Sequence, residues 1–252
     1  MDLELTGKAA LITGATKGIG RAVAEALLDE GASVAICART AEDVEQAVKE
    51  LSSRGTVVGS AVDVADSEQL RAWVASSAEQ LGGVDVYVHN TSGKPARDIA
   101  GWQKNFSIDL MALIHGVDAA TEHLSGGDGG ALISVGTTAT AEHFATGSNS
   151  YSAFKSAVTN WTLGQAQVLG ARGVRCNVVS PGPIFIEGGD WDRIKQGMAP
   201  FYETTEKLHP SRRLGSATDV ANAVAFLASP RASHVNGVNL TVDGGFLKRI
   251  DF

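Results

Sequence analysis

Short apolar runs alternate with helical stretches along the whole chain, and this alternation restricts most strongly the folds that the chain can adopt. Seven runs have the composition of strands and are apolar almost throughout, at residues 9–13, 33–38, 57–62, 84–88, 131–135, 174–179 and 238–242. Continuous rather than alternating apolar runs indicate a parallel sheet covered on both faces. Helices are predicted between them, at 19–30, 41–53, 67–81, 101–124, 150–171 and 218–228. This order predicts one doubly wound α/β domain over residues 1–252, with about seven parallel strands.

One segment, residues 181–216, interrupts the alternation. It begins Pro181-Gly182-Pro183 and carries aromatic side chains without a clean helical or strand period. An insertion of this length in a compact domain is usually a lid or a binding loop, and this one follows a strand's carboxyl end, where open α/β sheets bind ligands. We therefore predict a substrate lid at 181–216, with an extra helix pair at the domain edge or an oligomer contact as alternatives.

A glycine-rich turn follows the first predicted strand and opens the first helix, with the spacing Gly-x3-Gly-x-Gly. Glycines permit a tight turn and a close approach of the backbone to a pyrophosphate, while the helix N-terminus supplies N–H donors. A plain β–α turn is the alternative, but three spaced glycines between a strand and a helix favour dinucleotide binding. The predicted contacts are Gly14, Thr16, Lys17, Gly18, Ile19 and Gly20.

The charge that follows the second predicted strand indicates the type of dinucleotide. Proteins that bind NAD place an acidic residue there, against the ribose hydroxyls. Here no carboxylate lies between residues 31 and 41, and Arg39 and Lys17 are placed to reach a 2′-phosphate. We predict NADP(H) as the preferred cofactor, with NAD(H) as the alternative if Arg39 is a solvated surface residue. Asp63 and Val64, after the third strand, are predicted beside the adenine; capping of the next helix is the alternative for Asp63.

Tyr151 and Lys155 stand four positions apart in a predicted helix, so their side chains lie on one helical face. Ionising an ordinary tyrosine at pH 7 costs about 4 kcal/mol. A neighbouring cation lowers that cost and makes the phenol a usable general acid or base. Alone, such a pair is most often a solvated surface pair. Together with the glycine turn, it predicts a catalytic site.

The two motifs together resemble those of the classical short-chain dehydrogenases/reductases, with a likeness to 3-oxoacyl reductases. The resemblance runs from Thr13 to Gly245 and includes a terminal Asp243-Gly244-Gly245 element. It implies a Rossmann-type fold, hydride transfer between C4 of a nicotinamide and a carbonyl or secondary alcohol carbon, and assembly as a homotetramer or homodimer. It also implies further cofactor contacts at Asn90, Tyr151, Lys155, Pro181, Gly182 and Ile184.

The chain departs from the family's Ser–Tyr–Lys–Asn tetrad at two positions. Tyr151 and Lys155 match, but the serine position falls at Thr137 by strand register or at Thr138 by counting back from the tyrosine. A threonine hydroxyl can donate the same hydrogen bond to a substrate oxygen. The asparagine position holds Asp109, which would serve a proton relay through its main chain, stabilise the lysine from an inward carboxylate, or be an ordinary exposed carboxylate. The resemblance thus implies Tyr151, Lys155, Thr137 and Asp109 as the catalytic group.

Aromatic side chains indicate an apolar and bulky substrate, with simple packing of the insertion onto the domain as an equal alternative. They are Phe144, Phe185, Trp191 and Tyr202. The resulting prediction is an NADPH-dependent carbonyl reductase, acting on 3-oxoacyl or cyclic ketone substrates. An NAD-dependent secondary alcohol dehydrogenase is the alternative among enzymes, and a non-catalytic dinucleotide-binding sensor or scaffold is the alternative of another class.

Composition limits the partners, the cellular location and the metal sites that can be expected. The formal charge of −7 argues against nucleic acid or an anionic membrane as a partner, so a small-molecule substrate is expected. No apolar run reaches the roughly 18 residues of a membrane span, and the chain opens with acidic residues, so a cytoplasmic location is predicted. Cys37 and Cys176, both in apolar runs, favour buried thiols over a disulfide. No His/Cys/Asp cluster has metal-ligand spacing, so no metal site is predicted.

Overall fold

In a computed structural model of the chain, the structure is described for residues 2–124, 129–142 and 148–249. Within these residues the strands are β1 (Ala9–Thr13), β2 (Ser33–Ala38), β3 (Val57–Ala61), β4 (Val86–His89), β5 (Gly130–Val135), β6 (Val174–Pro181), β7 (Ile184–Phe185), β8 (Gly215–Ser216) and β9 (Asn239–Val242). Seven of them form one parallel sheet in the order β3-β2-β1-β4-β5-β6-β9. The predicted doubly wound α/β fold is therefore confirmed.

Helices cover both faces of this sheet. They are α1 (Gly18–Asp29), α2 (Ala41–Leu51), α3 (Ser67–Leu81), α4 (Ile99–Asn105), α5 (Ala112–Leu124), α6 (Ser150–Leu169), α7 (Asp190–Gly197), α8 (Ala199–Leu208) and α9 (Ala217–Ala228). A π-helical segment, Phe106–Met111, joins α4 to α5. The single helix predicted at 101–124 is thus interrupted by a wider turn, a feature that often marks functional positions. No helix in the described part of the chain is both long and apolar enough to cross a bilayer.

The strands are apolar because helices bury both faces of the sheet. On one face, α1 and α9 enclose side chains such as Val23 and Val224; on the other, α3, α5 and α6 enclose Leu113 and Val158. All four side chains are fully buried. Since burial of a valine or leucine side chain contributes about 1.5–3 kcal/mol, the two layers hold the sheet rigidly beneath its loops.

The strand order places the functional residues at one edge of the sheet. The strand order reverses between β1 and β4: the chain runs outward from β1 through β2 to β3, and then outward from β4 through β5 to β6 on the other side. The loops after β1 and β4 therefore turn to opposite faces of the sheet and leave a crevice between them. The glycine turn follows β1, and Asn90 follows β4. The carboxyl end of β5, next in the sheet, leads to Thr137.

The insertion folds into the helix pair α7–α8. Its two ends are tied together by a short parallel pairing, in which Ile184 lies beside Gly215 and Phe185 beside Ser216. The helices contact each other through stacked rings of Trp191 and Phe201, whose centroids are 5.9 Å apart. The helix pair named as an alternative therefore describes the local structure; its action as a lid stays a prediction.

Candidate active site

The glycine turn leaves the N-terminus of α1 open. Gly14 and Gly18 have φ angles of 66° and 63°, in the left-handed region that glycine adopts without steric cost. The residue before α1 provides no side-chain cap, and the first turn of the helix holds no acidic residue. The first amide groups of α1 and the positive end of its dipole are therefore suited to an anion. Thr16 and Ile19 are half-buried beside them.

Asn90 supports this turn from the adjacent strand. Its Nδ2 donates hydrogen bonds to the main-chain oxygens of Thr13, at 3.1 Å, and Gly14, at 3.0 Å. A Cβ at Gly20 would lie 2.5 Å from the same nitrogen and 2.4 Å from the oxygen of Gly14, which explains why glycine is needed there. The structure thus uses the Asn90 amide, predicted as a cofactor contact, to brace the loop.

Two basic side chains beside the turn are available to a ligand. Arg39 and Lys17 are exposed, and neither forms an ion pair with any residue in the described ranges. Val64 is buried, while Asp63 is exposed and accepts a hydrogen bond from the main-chain nitrogen of Ala65 at 3.0 Å. The alternative of a helix cap is wrong for Asp63, because Asp66 caps α3.

Tyr151 lies in the first turn of α6 and contacts the residue that follows β5. The helix begins after Asn149, whose Oδ1 accepts from the Ser152 nitrogen at 3.1 Å. The tyrosine hydroxyl is hydrogen-bonded to the side chain of Thr137. Of the two threonines considered from the sequence, the structure therefore brings Thr137 to the tyrosine, as strand register predicts.

Burial controls the acidity of this tyrosine. It raises the pKa of Tyr151 above the ordinary value of 10.0, and the hydrogen bond with Thr137 opposes that shift only in part. The carboxylates of Asp109 and Asp190 raise the pKa further, since both disfavour a phenolate. Desolvation outweighs the hydrogen bond from Thr137, and the expectation that Lys155 lowers the tyrosine pKa stays a prediction.

Lys155 is buried one helical turn further along α6. Its side chain is 2% exposed, and its Nζ donates to the main-chain oxygen of Val135 at 2.8 Å. The same nitrogen lies 3.6 Å from Oδ1 of Asp109. Burial lowers the pKa of Lys155, and the nearby carboxylate opposes this effect. The hydrogen bond to Val135, the last residue of β5, places the Lys155 ammonium at the carboxyl end of that strand.

Asp109 is fully buried and points inward from the π-helical segment. Its Oδ1 accepts from the Ser92 hydroxyl at 2.5 Å, and its Oδ2 accepts from the Gly93 nitrogen at 3.0 Å. With Lys155 nearby, donors surround both oxygens, as suits a carboxylate. Among the readings left open by the sequence, the exposed carboxylate is wrong, and the inward carboxylate facing Lys155 is what the structure holds.

His89 is a member of this cluster that sequence reasoning missed. It is fully buried at the end of β4, and its Nε2 lies 3.0 Å from the main-chain oxygen of Asp109. Burial, followed by the nearby Lys155 charge, lowers the pKa of His89 to about 3. The ring is therefore neutral at pH 7, and its Nε2–H donates to the Asp109 carbonyl. The one available signal was its position directly before Asn90 in the predicted strand end.

The insertion begins close to the glycine turn. A Cβ at Gly18 would meet the side chain of Ile186 at 3.6 Å, so this residue, absent from the sequence prediction, covers the turn. Ile184 was predicted as a cofactor contact, but its side chain packs into the core. Pro181 ends β6, and Gly182 packs tightly, since a Cβ there would lie 2.6 Å from that of Asp243.

The aromatic residues of the insertion contact one another. The rings of Phe185 and Tyr202 are 6.4 Å apart, and those of Trp191 and Tyr202 are also 6.4 Å apart. The ammonium of Lys195 lies 5.2 Å from the Phe185 ring centroid. These contacts agree with the packing alternative, although they do not prevent the outer ring faces from meeting a substrate. Phe144, the fourth predicted aromatic, lies outside the described residues.

Known proteins match this chain over nearly its whole length. A family model described as enoyl-(acyl carrier protein) reductase matches residues 14–247. Isoepoxydon dehydrogenase patN of Aspergillus clavatus is 37% identical over 247 residues, covering 96% of this chain and 95% of that protein. The structure of L-sorbose reductase from Gluconobacter frateurii, complexed with NADPH and L-sorbose, has a TM-score of 0.89 at 27% identity, covering 99% of this chain and 100% of that one. A 7α-hydroxysteroid dehydrogenase complexed with NADH and 7-oxo glycochenodeoxycholic acid has a TM-score of 0.88 at 29% identity, covering 99% and 98%.

Proposed function

Because the chain belongs to the classical short-chain dehydrogenase/reductase family, a family of oxidoreductases acting on alcohols and ketones, we propose that it transfers a hydride between NADP(H) and a ketone or secondary alcohol. Tyr151 is the general acid or base. The observation that carries this proposal is the meeting of Tyr151, Thr137 and Lys155 at the sheet edge that also bears the glycine turn.

The residues around the turn fit a nicotinamide dinucleotide. The uncapped N-terminus of α1 suits the pyrophosphate, and the positive φ angles of Gly14 and Gly18 let the backbone approach it. The bound dinucleotide supplies or accepts the hydride, which no protein side chain can do. The protein orients the reactants and handles the accompanying proton.

The phenol of Tyr151 performs the proton transfer to the substrate oxygen. Its raised pKa keeps it protonated at neutral pH, which suits the donation of a proton during ketone reduction. Thr137 holds the phenol from the β5 side and presents a second hydroxyl to the same substrate oxygen. Lys155 places a buried positive charge one helical turn away and favours the phenolate that remains after donation.

The preference for NADP(H) over NAD(H) is supported by Arg39. Its exposed guanidinium follows β2 and forms no ion pair within the described ranges, so it is available to a 2′-phosphate. Structures of related proteins hold NADPH in one case and NADH in another, so the family alone does not decide the preference. An NAD-dependent alcohol dehydrogenase is thus the competing assignment, and a cofactor titration separates the two.

A panel of cyclic ketones, 3-oxoacyl thioesters and the matching alcohols tests the function, with NADPH or NADP⁺ followed by absorbance. We expect turnover by the parent protein and none by Tyr151→Phe, whose NADPH affinity should stay within about twofold because the other predicted cofactor contacts are unchanged. Near-normal activity of the variant would remove Tyr151 from the mechanism. Binding of NADPH without turnover of any substrate class would favour a sensor or scaffold instead.

A further inference from the structure

The loop after β4 is fixed at both of its ends. At one end, the main-chain nitrogen of Gly93 donates a hydrogen bond to Oδ2 of the buried Asp109 at 3.0 Å. At the other end, the Ala96 nitrogen donates to Oγ of Ser150 at 3.1 Å, and the Ser150 nitrogen donates to the Ala96 oxygen at 2.9 Å. Residues 93–96, the anchored loop, are therefore held by hydrogen bonds of their own main chain.

Both anchors of this loop belong to the candidate active site. Asp109 lies 3.6 Å from the ammonium of Lys155, and the fully buried Ser150 directly precedes Tyr151. Since an extended chain covers at most about 3.6 Å per residue, the two residues between the anchors lie within about 7 Å of both ends of the loop, measured between Cα atoms. They are thus close to the place where a substrate oxygen meets the phenol.

Lys94, the first of these two residues, has an exposed side chain that is available to a ligand. Its ammonium forms no ion pair within residues 2–124, 129–142 and 148–249. Pro95 has a φ angle fixed by its ring and restricts the preceding residue to extended conformations. The backbone of Lys94 is therefore restrained, while its side chain of five bonds still reaches about 6 Å from the Cα atom.

The acidic groups near the phenol are already paired with cations, whereas Lys94 has no such partner in the described ranges. Asp109 and Asp190 are the carboxylates whose charge the phenol feels. Asp109 faces Lys155, and Asp190 forms an ion pair with Arg193. The positive charge of Lys94 is therefore not cancelled by either carboxylate, and it attracts an anionic group.

The anchored loop also differs in charge from the protein as a whole. The formal net charge is −7, so the protein repels an anion at long range. Residues 93–98, in contrast, contain Lys94, Arg97 and Asp98, two positive charges and one negative, and have a net charge of +1. A positive segment beside the phenol favours substrates that bring a negative charge to this place.

We propose that Lys94 binds a carboxylate of the substrate, an inference that rests on the oxidoreductase function proposed above and names the class of its substrates. These are keto acids and hydroxy acids in which a short chain or a ring separates the carboxylate from the reacting carbon. The separation is needed because the ammonium lies on the neighbouring loop, while the reacting oxygen is bound by the phenol. Such an ion pair is present before and during the reaction alike, so it lowers KM and leaves kcat nearly unchanged.

Two pairs of ketones test the inference, each pair being a keto acid and its methyl ester; the acids are 4-oxocyclohexanecarboxylate and 5-oxohexanoate. Steady-state kinetics with saturating NADPH are compared for the parent, Lys94→Ala, Lys94→Glu and Lys94→Arg. We expect Lys94→Ala to raise KM for the acids about 3- to 10-fold and to change KM for the esters less than about twofold. Lys94→Glu should raise KM for the acids further, because a carboxylate repels them, and Lys94→Arg should keep the parent's value.

Lys49→Ala is the matched control, because Lys49 is an exposed lysine in the last turn of α2. Helix α2 runs from the carboxyl end of β2 to the amino end of β3, so this turn lies at the opposite edge of the sheet. The control should keep the parent's KM for acids and esters. Addition of NaCl to about 1 M, which shortens the Debye length to about 3 Å, should raise the parent's KM for the acids and not for the esters.

The outcomes separate this substrate class from the function on which it rests. An unchanged KM for the acids in Lys94→Ala, or an equal change for acids and esters, would overturn the role of Lys94 and leave the oxidoreductase function intact. The same holds if the parent reduces other ketones of the panel but neither keto acid. If the parent turned over no ketone or alcohol at all, the proposed function would fall, and the substrate class with it.

Discussion

Replacement of Asp109 by asparagine removes the charge that faces Lys155 while nearly keeping the size of the side chain. Two unit charges 3.6 Å apart attract each other by about 4.6 kcal/mol at an effective dielectric constant of about 20. Removing one partner of a buried pair typically costs about 3–5 kcal/mol, because the other charge is left uncompensated. Since Lys155 keeps its hydrogen bond to Val135, we expect the free energy of unfolding to fall by about 3 kcal/mol at pH 7.

This loss should depend on pH. Burial already holds the pKa of Lys155 below its ordinary value of 10.5, and Asp109 opposes that shift. Without the carboxylate the pKa of the folded state falls further, whereas the unfolded chain keeps the ordinary value. Between these two pKa values the folded chain binds fewer protons than the unfolded chain, so the stability of the variant rises with pH, by up to about 1.4 kcal/mol per unit. Its difference from the parent should shrink from pH 6 to pH 9.

Urea unfolding followed by tryptophan fluorescence at pH 6, 7, 8 and 9 measures both effects. Asp118→Asn is the matched control, because it changes an exposed aspartate paired with Arg71 on the surface, where ion pairs contribute little. A loss below about 1 kcal/mol at pH 7, or one of equal size at every pH, would refute the charge argument.

Substitutions of Arg39 and of the two threonines test the cofactor preference and the group that holds the substrate oxygen. Arg39→Asp should lower the ratio of kcat/KM with NADPH to that with NADH at least about tenfold, since a carboxylate repels the 2′-phosphate; an unchanged ratio would discard the role of Arg39. Thr137→Ala should lower kcat about 10- to 100-fold by removing the hydroxyl bonded to Tyr151, whereas Thr138→Ala should have a small effect. Steady-state kinetics of both threonine variants on one substrate decides which threonine takes the serine's role. Equal losses of kcat in the two variants would contradict the choice of Thr137.

The sheet could be predicted because strands that are buried on both faces are apolar throughout, and such runs are visible in the sequence. The runs at residues 9–13 and 33–38 coincide with β1 and β2, since each is apolar and ends at a turn. The interrupted helix was not predictable, because the π-helical segment Phe106–Met111 has ordinary helical composition. Helices α7 and α8 were named only as an alternative to a lid, because they pack against each other through aromatic rings and their segment shows no clean apolar period.

The candidate site also has a part that could be predicted from the sequence and a part that could not. The glycine turn and the Tyr151–Lys155 pair could be predicted because each lies within one short segment. The cluster around Asp109 could not, since Ser92 and His89 reach it from β4 and the loop after it, and only the fold brings them together. Burial raises the pKa of Tyr151, and this effect could not be predicted because spacing along a helix does not reveal whether a phenol is shielded from water.

The two-residue pairing of β7 with β8 has a consequence for engineering. Because Ile184 and Gly215 are side by side, the intervening stretch leaves and re-enters the domain at a single place. Such a stretch can be exchanged as a cassette for that of a relative, with the junction kept and the seven-stranded platform untouched. Such a transplantation would test whether the predicted lid sets the substrate range.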